Sequence, residues 1–236
     1  MRVLKELGTA GAELAAARGD VVVLVDALRA CVTITAAPAV GARQVIPVLT
    51  VERARSYLSQ SGFCVAGERH TVKVPGLHFD NLPTELMHHA DRLRGQTLVL
   101  TTSNGTACVQ AVRKGARALL AGSLPNAAAV TQAAFRLARE EGCDVTLVAA
   151  GQDGQPAAED EYSVAMLAGL LVVLGADAAI PLLSVAAEAA FRGSPHGERL
   201  VRLGYEEDLA LCAETNIFEA VGILQSDGFV LARGTT

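Results

Sequence analysis

Tryptophan is absent from this chain and aromatic residues make up only 4% of it, although 51% of its 236 residues are hydrophobic. The core must therefore be built mainly from Ala, Val and Leu, and a chain of this length can bury a sizeable one. Basic blocks are missing, as is any interleaving of aromatic with basic residues, and the net charge is −5 with a pI near 5.6. That balance argues against nucleic acid or an acidic membrane surface as a partner. Long apolar runs are missing too: the longest, near Met166 to Leu174, is too short to span a bilayer. Lys5, Glu6, Glu13 and Arg18 break up the first residues, which is not the pattern of a signal peptide. The five cysteines (Cys31, Cys64, Cys108, Cys143 and Cys212) form no C-x-x-C pair. They read as buried or reduced thiols of a cytoplasmic protein, in which the Asn104-Gly105-Thr106 sequon carries no glycan.

Several catalytic loops are also lacking. There is no G-x-x-x-x-G-K-[ST] phosphate loop and no G-x-G-x-x-G fingerprint. A cysteine-phosphatase loop needs five residues between its Cys and Arg, but Cys64 and Arg69 are separated by four, as are Cys108 and Arg113. A haloacid-dehalogenase site needs a second Asp two after the first, whereas Asp26 is followed by Ala27 and Leu28. His70, His78, His88, His89 and His196 lack zinc-ligand spacing and read as surface or loop residues. Ser184 and Ser194 have no nucleophile-elbow setting.

What is present is alternation. Strand-like apolar runs fall at Val21–Ala27, Gln44–Leu49, Phe63–Ala66, Thr97–Thr101, Ala118–Ala121 and Asp144–Ala150, with Ala220–Leu224 and Phe229–Ala232 near the end. Helical patterns lie between them at Cys31–Gly41, Val51–Gln60, Glu85–Leu93, Gly105–Lys114 and Asn126–Glu141. Thr50 is placed to cap the second of these. Beyond Gly151 the chain turns mainly helical, over Glu159–Leu174, Asp177–Phe191 and a shorter pair from Pro195 to Cys212. Fully apolar strands separated by helices predict an α/β fold, an αβα sandwich whose mostly parallel sheet is covered on both faces, with a helix-rich C-terminal part. His70–Pro83 reads as an ordered loop. A Gly/Pro turn at Gln152–Pro156 is the candidate lobe boundary within a single unit covering residues 1–236.

In such sheets ligands bind beyond the carboxyl ends of the strands. Those ends carry Asp26 and Arg29, then Gly67-Glu68-Arg69, then Thr101 to Thr106, then Gly122-Ser123 with Asn126, and finally Ala150-Gly151 followed by Glu159-Asp160. The opposite ends carry ordinary residues such as Asp20, Arg43 and Asp144. Each group has a plain structural alternative: Asp26, Asn104 and Asn126 suit helix caps, Glu68-Arg69 an ion pair, and Glu159-Asp160 the first turn of a helix. Arg29 opposes a helix dipole, so an anion partner is the more natural reading. Convergence favours a phosphate site at the Thr101–Thr106 turn, with carboxylates placed to hold a hard cation such as Mg²⁺.

These residues also resemble the 2-phosphosulfolactate phosphatase family. Its D-x-L-R-A-[ST]-[ST]-T-I pattern is met by Asp26, Leu28, Arg29, Ala30, Thr33 and Ile34, and its G-E-R by Gly67-Glu68-Arg69. Gly76, Phe79-Asp80-Asn81 and Pro83 match G-F-D-x-x-N-S-P loosely, and Thr102 to Thr106 match T-T-N-G-T. Gly122-Ser123 with Asn126-Ala127, Ala150-Gly151 with Glu159-Asp160, and Leu203-Gly204 with Asp208 complete the series. Cys31-Val32, Leu82 and Ser103 depart from it, removing hydroxyls that could contact substrate.

The resemblance implies a Mg²⁺-dependent phosphatase converting 2-phospho-3-sulfolactate, a coenzyme M precursor, to 3-sulfolactate and phosphate. It assigns metal binding to Asp26 with Glu159 or Asp160, adjacent residues that cannot share one helical face. Asp26 and Asp160 enter the catalytic set with Glu68, the candidate base. Arg29, Thr33, Thr102, Ser103, Asn104, Gly105, Thr106 and Asn126 are expected around the substrate, with Arg69 on its second anionic group. A non-catalytic small-anion-binding protein on the same scaffold is the alternative, and a hydrolase of unrelated chemistry a third. The expected partner is a small phosphoester, and Ala/Leu-rich helix faces could support a homodimer.

Overall fold

Val21 to Val25 is an unbroken run of β-branched and leucine side chains, and every one of them is buried. The computed structural model, which describes residues 1–113, 115–178 and 186–232, makes this run an inner strand. The elements in order are β1 (Arg2–Leu7), α1 (Gly8–Arg18), β2 (Val21–Val25), α2 (Ala30–Ala39), β3 (Gln44–Pro47), α3 (Val51–Arg55), β4 (Phe63–Arg69) and β5 (Val72–Lys73). Then come α4 (Pro83–His88), α5 (Ala90–Leu93), β6 (Thr97–Thr101), α6 (Gly105–Val112), β7 (Ala118–Gly122) and α7 (Ala127–Glu141). The remainder is β8 (Val145–Ala149), α8 (Ala158–Val173), β9 (Asp177–Ala178), α9 (Ala187–Arg192), α10 (Pro195–Arg202), α11 (Glu206–Ala213), β10 (Gly222–Gln225) and β11 (Gly228–Leu231).

The fold is α/β, with a mixed but mostly parallel sheet flanked by helices. Its strand order is β5-β4-β6-β3-β11-β10-β7-β2-β8-β1-β9. One parallel set is β4, β6 and β3, and the other is β7, β2, β8, β1 and β9. Between them the β10–β11 hairpin is antiparallel to β7, to β3 and within itself. Three reversals in succession make the two sets run in opposite senses.

Helices carry chain between the sets. α6 follows β6 yet packs on α1 and β2, which belong to the other set, and α2 touches both β3 and β7. α2 is buried from Ala30 through Pro38. A single apolar cluster therefore mixes Val22 and Leu24 with Val45, Ala66, Leu98 and Leu100. Each such Val or Leu contributes roughly 1.5–3 kcal/mol on full burial.

Several expectations change. Asp177 and Ala178 pair with β1 instead of starting a helix, residues 179–185 (with Ser184) lie outside the described residues, and helix resumes at Ala187. His70–Pro83 is not wholly loop: β5 folds back on β4, and Phe79 bridges to Ala66. β1 and α1 are elements that the apolar pattern does not announce. No helix among the described residues is long and apolar enough to cross a membrane.

Candidate active site

Asp26 leaves the end of β2 with its side chain 9% exposed. Its Oδ1 accepts a hydrogen bond from the Ala30 N–H at 3.1 Å, which is the capping role the sequence allowed. Oδ2 accepts none and lies against α6. A Cβ added to Gly105 would stand 2.6 Å from that oxygen, so only glycine permits the approach. Burial pushes the Asp26 carboxyl up to about 6; the Ala30 N–H and His196 oppose the shift, while Glu68 and Glu159 add to it.

The first turn of α8 supplies two more acids, and they diverge as adjacent helical residues must. Asp160 turns toward the strand ends, its Oδ1 accepting from the Ala27 N–H at 2.8 Å and its Oδ2 from the Gly151 N–H at 2.9 Å. Burial and the neighbouring Asp26 and Glu159 charges still raise its pKa. Glu159, 2% exposed, faces α10 instead, with Oε1 3.4 Å from His196 Nδ1 and Oε2 without a partner. Burial works to raise its pKa, but His196 and Ser194 outweigh it and leave the carboxyl below its usual range. Both acids line one cleft.

The other set of strands supplies the facing wall. Glu68, at the end of β4, accepts from the Thr71 N–H (2.7 Å), the Ser103 N–H (2.8 Å) and the Ser103 hydroxyl (3.2 Å). It thereby fixes the turn after β6, where Thr102, Ser103 and Asn104 line the cleft. Asn104 occupies the N-cap position of α6 but makes no cap hydrogen bond, so its amide stays uncommitted. Thr50, by contrast, caps α3 through the Arg53 N–H at 3.1 Å. Thr106 folds back on Thr102 within the turn.

Six expected residues are not in the lining of this cleft, among them Gly105 and Thr106, which carry its turn into α6. Asn126 spends its amide on Ser123 N and Oγ, Ala121 O, Thr35 Oγ1 and Ala220 O, tying the end of β7 to its surroundings. Arg69 donates to Glu68 O, Leu49 O and Thr101 Oγ1. Arg29 and Thr33 are buried beside the cleft but do not line it. Of the departures from the family pattern, Cys31 and Val32 are wholly buried in apolar clusters, where a hydroxyl would not meet a ligand in the cleft.

Reading the five histidines as surface or loop residues fails for His196, which opens α10 and reaches Glu159, whereas His70 is an exposed turn residue as expected and lines the cleft beside Ser103. Asn81 and Asp153 line it as well. Asp153 belongs to the Gly151–Gln155 turn, in which a Cβ on Gly151 would meet Gln155 O at 2.4 Å. Among the described lining residues there are five carboxylates (Asp26, Glu68, Asp153, Glu159 and Asp160) and no lysine or arginine.

The family model of 2-phosphosulpholactate phosphatase matches residues 10–227. A protein from Carboxydothermus hydrogenoformans named "probable 2-phosphosulfolactate phosphatase" is 34% identical over 226 residues, covering 91% of each chain. A Thermotoga maritima protein of the same name is 33% identical over 220 residues, 89% of this chain and 91% of that one. The "2-phosphosulfolactate phosphatase" of Methanothermobacter thermautotrophicus is 38% identical over 200 residues, 83% of this chain and 82% of its own.

Proposed function

Because the chain belongs to the 2-phosphosulfolactate phosphatase family, we propose that it hydrolyses 2-phospho-3-sulfolactate to 3-sulfolactate and phosphate, with Mg²⁺ as cofactor. The observation that carries this reading is the sign of the cleft. Five carboxylates with no lining lysine or arginine repel a phosphate dianion at short range. A divalent cation between them would offset two of those charges and present a positive centre to the phosphoryl oxygens.

The donor set fits Mg²⁺. Among the described residues no trio of His, Cys, Asp or Glu side chains is spaced to hold an ion unaided. Mg²⁺ asks for less, namely one or two carboxylates plus water and phosphate oxygens. Asp26 Oδ2 and Glu159 Oε2 are uncommitted carboxylate oxygens that would hold it. When bound, the ion neutralises charge on the phosphoryl oxygens and polarises the ester.

The chain's own groups do the rest. The Asn104 amide and the N-terminal turn of α6 hydrogen-bond the phosphoryl oxygens, where the helix dipole favours negative charge. Glu68, with three accepted hydrogen bonds, keeps that turn in place. Asp160 holds Ala27 and Gly151 in register across the cleft. His196, oriented by Glu159, offers an imidazole to the attacking water.

Phosphate release from 2-phospho-3-sulfolactate in the presence of Mg²⁺ tests the proposal. EDTA should abolish it, and Asp26→Asn should lower kcat/KM by on the order of 10³-fold while removing the rise in melting temperature that Mg²⁺ gives the wild type. Undiminished release in EDTA, or by the variant, overturns the assignment.

A further inference from the structure

Arg29 stands one residue past the cleft-lining Leu28, is 1% exposed, and has no hydrogen-bond partner at Nε, Nη1 or Nη2. The Tyr205 ring covers one face of the guanidinium, with Cζ 5.4 Å from its centroid. Two more uncommitted atoms belong to residues of this region, Thr33 Oγ1, one helical turn along α2, and Oδ1 of the cleft-lining Asn81. Asp80 and Asp208 are close enough for the Arg29 charge to draw their carboxyls downward against the effect of burial. Neither forms an ion pair with it. Asp208 accepts from the Thr84 N–H at 3.1 Å and the Thr84 hydroxyl at 2.6 Å, and Asp80 Oδ1 accepts from the Asn81 N–H at 2.7 Å.

Five buried N–H donors without an acceptor cost several kcal/mol. Two carboxylates at longer range offset the charge and leave the donors open. A planar guanidinium with its donors in a fork matches two oxygens of a carboxylate or a sulfonate. Arg69, the other arginine expected to hold such a group, has spent its donors on Glu68 O, Leu49 O and Thr101 Oγ1. The phosphoryl end has its own donors at the α6 turn, in a lining that includes neither Arg29 nor Thr33.

We infer that Arg29, with Thr33, forms the subsite for the acid group that stays on the product, a carboxylate or sulfonate oxyanion, and so selects phosphoesters bearing a second anion. The inference rests on the phosphatase reading for the position of the phosphoryl end.

The test uses Arg29→Gln and Arg29→Lys in the full chain, each compared with wild type by thermal melting. Calorimetric titration with 3-sulfolactate, which has no phosphoryl group, should show binding by wild type and a loss of about 10²-fold in Arg29→Gln, the scale of a lost charge-assisted pair. Turnover is then compared on 2-phospho-3-sulfolactate, 2-phospholactate and isopropyl phosphate. The preference for a two-anion ester over isopropyl phosphate should shrink by a similar factor. If that shrinkage includes 2-phospholactate, the carboxylate occupies the subsite; if it is confined to the sulfonated ester, the sulfonate does.

Unchanged 3-sulfolactate binding in a variant that melts like wild type overturns the inference. So does an equal loss on all three esters. Should Arg29→Gln not fold, Arg29→Lys keeps the charge without the fork and must show the same direction of change. Titration requires no turnover, so the two readings fail separately. Arg29-dependent 3-sulfolactate binding without any phosphate release sinks the phosphatase reading alone. Release without Arg29-dependent preference sinks the subsite alone.

Discussion

The rim at the end of β4 and the buried start of α2 each hold an arginine close behind a carboxylate, and the two arginines end in opposite conditions. Arg69 donates to two carbonyls and a hydroxyl, whereas Arg29 donates to nothing. Other polar groups divide the same way. Asp160, Glu68 and Asn126 are spent on the fold; Glu159 Oε2, Thr33 Oγ1 and the Asn104 amide are not. A buried polar group with every valence used is structural, and one left open needs an outside partner to account for its burial. Spent groups hold the frame, and open ones await the ligand.

The sharpest attack on this division is Asp160→Ala. It strips the acceptor from the buried Ala27 and Gly151 N–H groups, and each orphaned donor costs about 1–3 kcal/mol. Urea unfolding should show a total loss of roughly 2–6 kcal/mol on that basis, and a variant as stable as wild type would remove Asp160 from the frame. Gly105→Ala comes next. Its methyl would meet Asp26 Oδ2 at 2.6 Å and Ala30 Cβ at 3.0 Å, so the carboxylate must move. The expected effect is a fall in kcat/KM of about 10²-fold from misplacement, and an unchanged rate would show that Asp26 needs no such closeness.

Acid-induced stabilisation probes both regions at once. Asp26 on the cleft side and Asp80 on the Arg29 side each titrate at about 6 when folded, chiefly through burial, against about 3.9 when unfolded. Between those values the folded chain binds the extra protons, so their contribution is fully present below the lower value and is lost as pH rises through the upper. The metal-free protein should therefore be more stable at pH 5 than at pH 7.5 by up to about 1.4 kcal/mol per group. Asp80→Asn should flatten its share of the slope, and a melting temperature that falls on acidification over this range contradicts the assignment. The smallest expected effect separates two caps. Thr50→Ala should cost about 1 kcal/mol of stability and leave turnover alone, whereas Asn104→Ala should raise KM with little change in melting. The reverse pattern would exchange their roles.

The strands that sequence reveals best are those buried on both sides. β6 spans Thr97–Thr101 as its apolar run predicts, and β2 and β8 differ from theirs only at the ends. β1 escapes because Lys5, paired with Glu161, and Arg2, paired with Asp144, interrupt its apolar pattern. In the site, proximity to strand ends found Asp26, Glu68, Thr102 to Asn104, Glu159 and Asp160. It could not find His196, whose arrival depends on how α10 packs after α9, and it admitted Asn126, whose amide the fold consumes. Nothing local in a sequence says whether an amide or a guanidinium will find a partner inside the protein.

The hairpin of Gly222–Gln225 and Gly228–Leu231 has a consequence for synthesis. It leaves the ribosome after every other strand of the sheet, so until then β3 and β7 each expose a bare edge that the finished protein lacks. Open edges of this kind invite pairing with other chains. The nascent protein is thus most exposed to aggregation, and to capture by chaperones, in the interval just before this hairpin emerges.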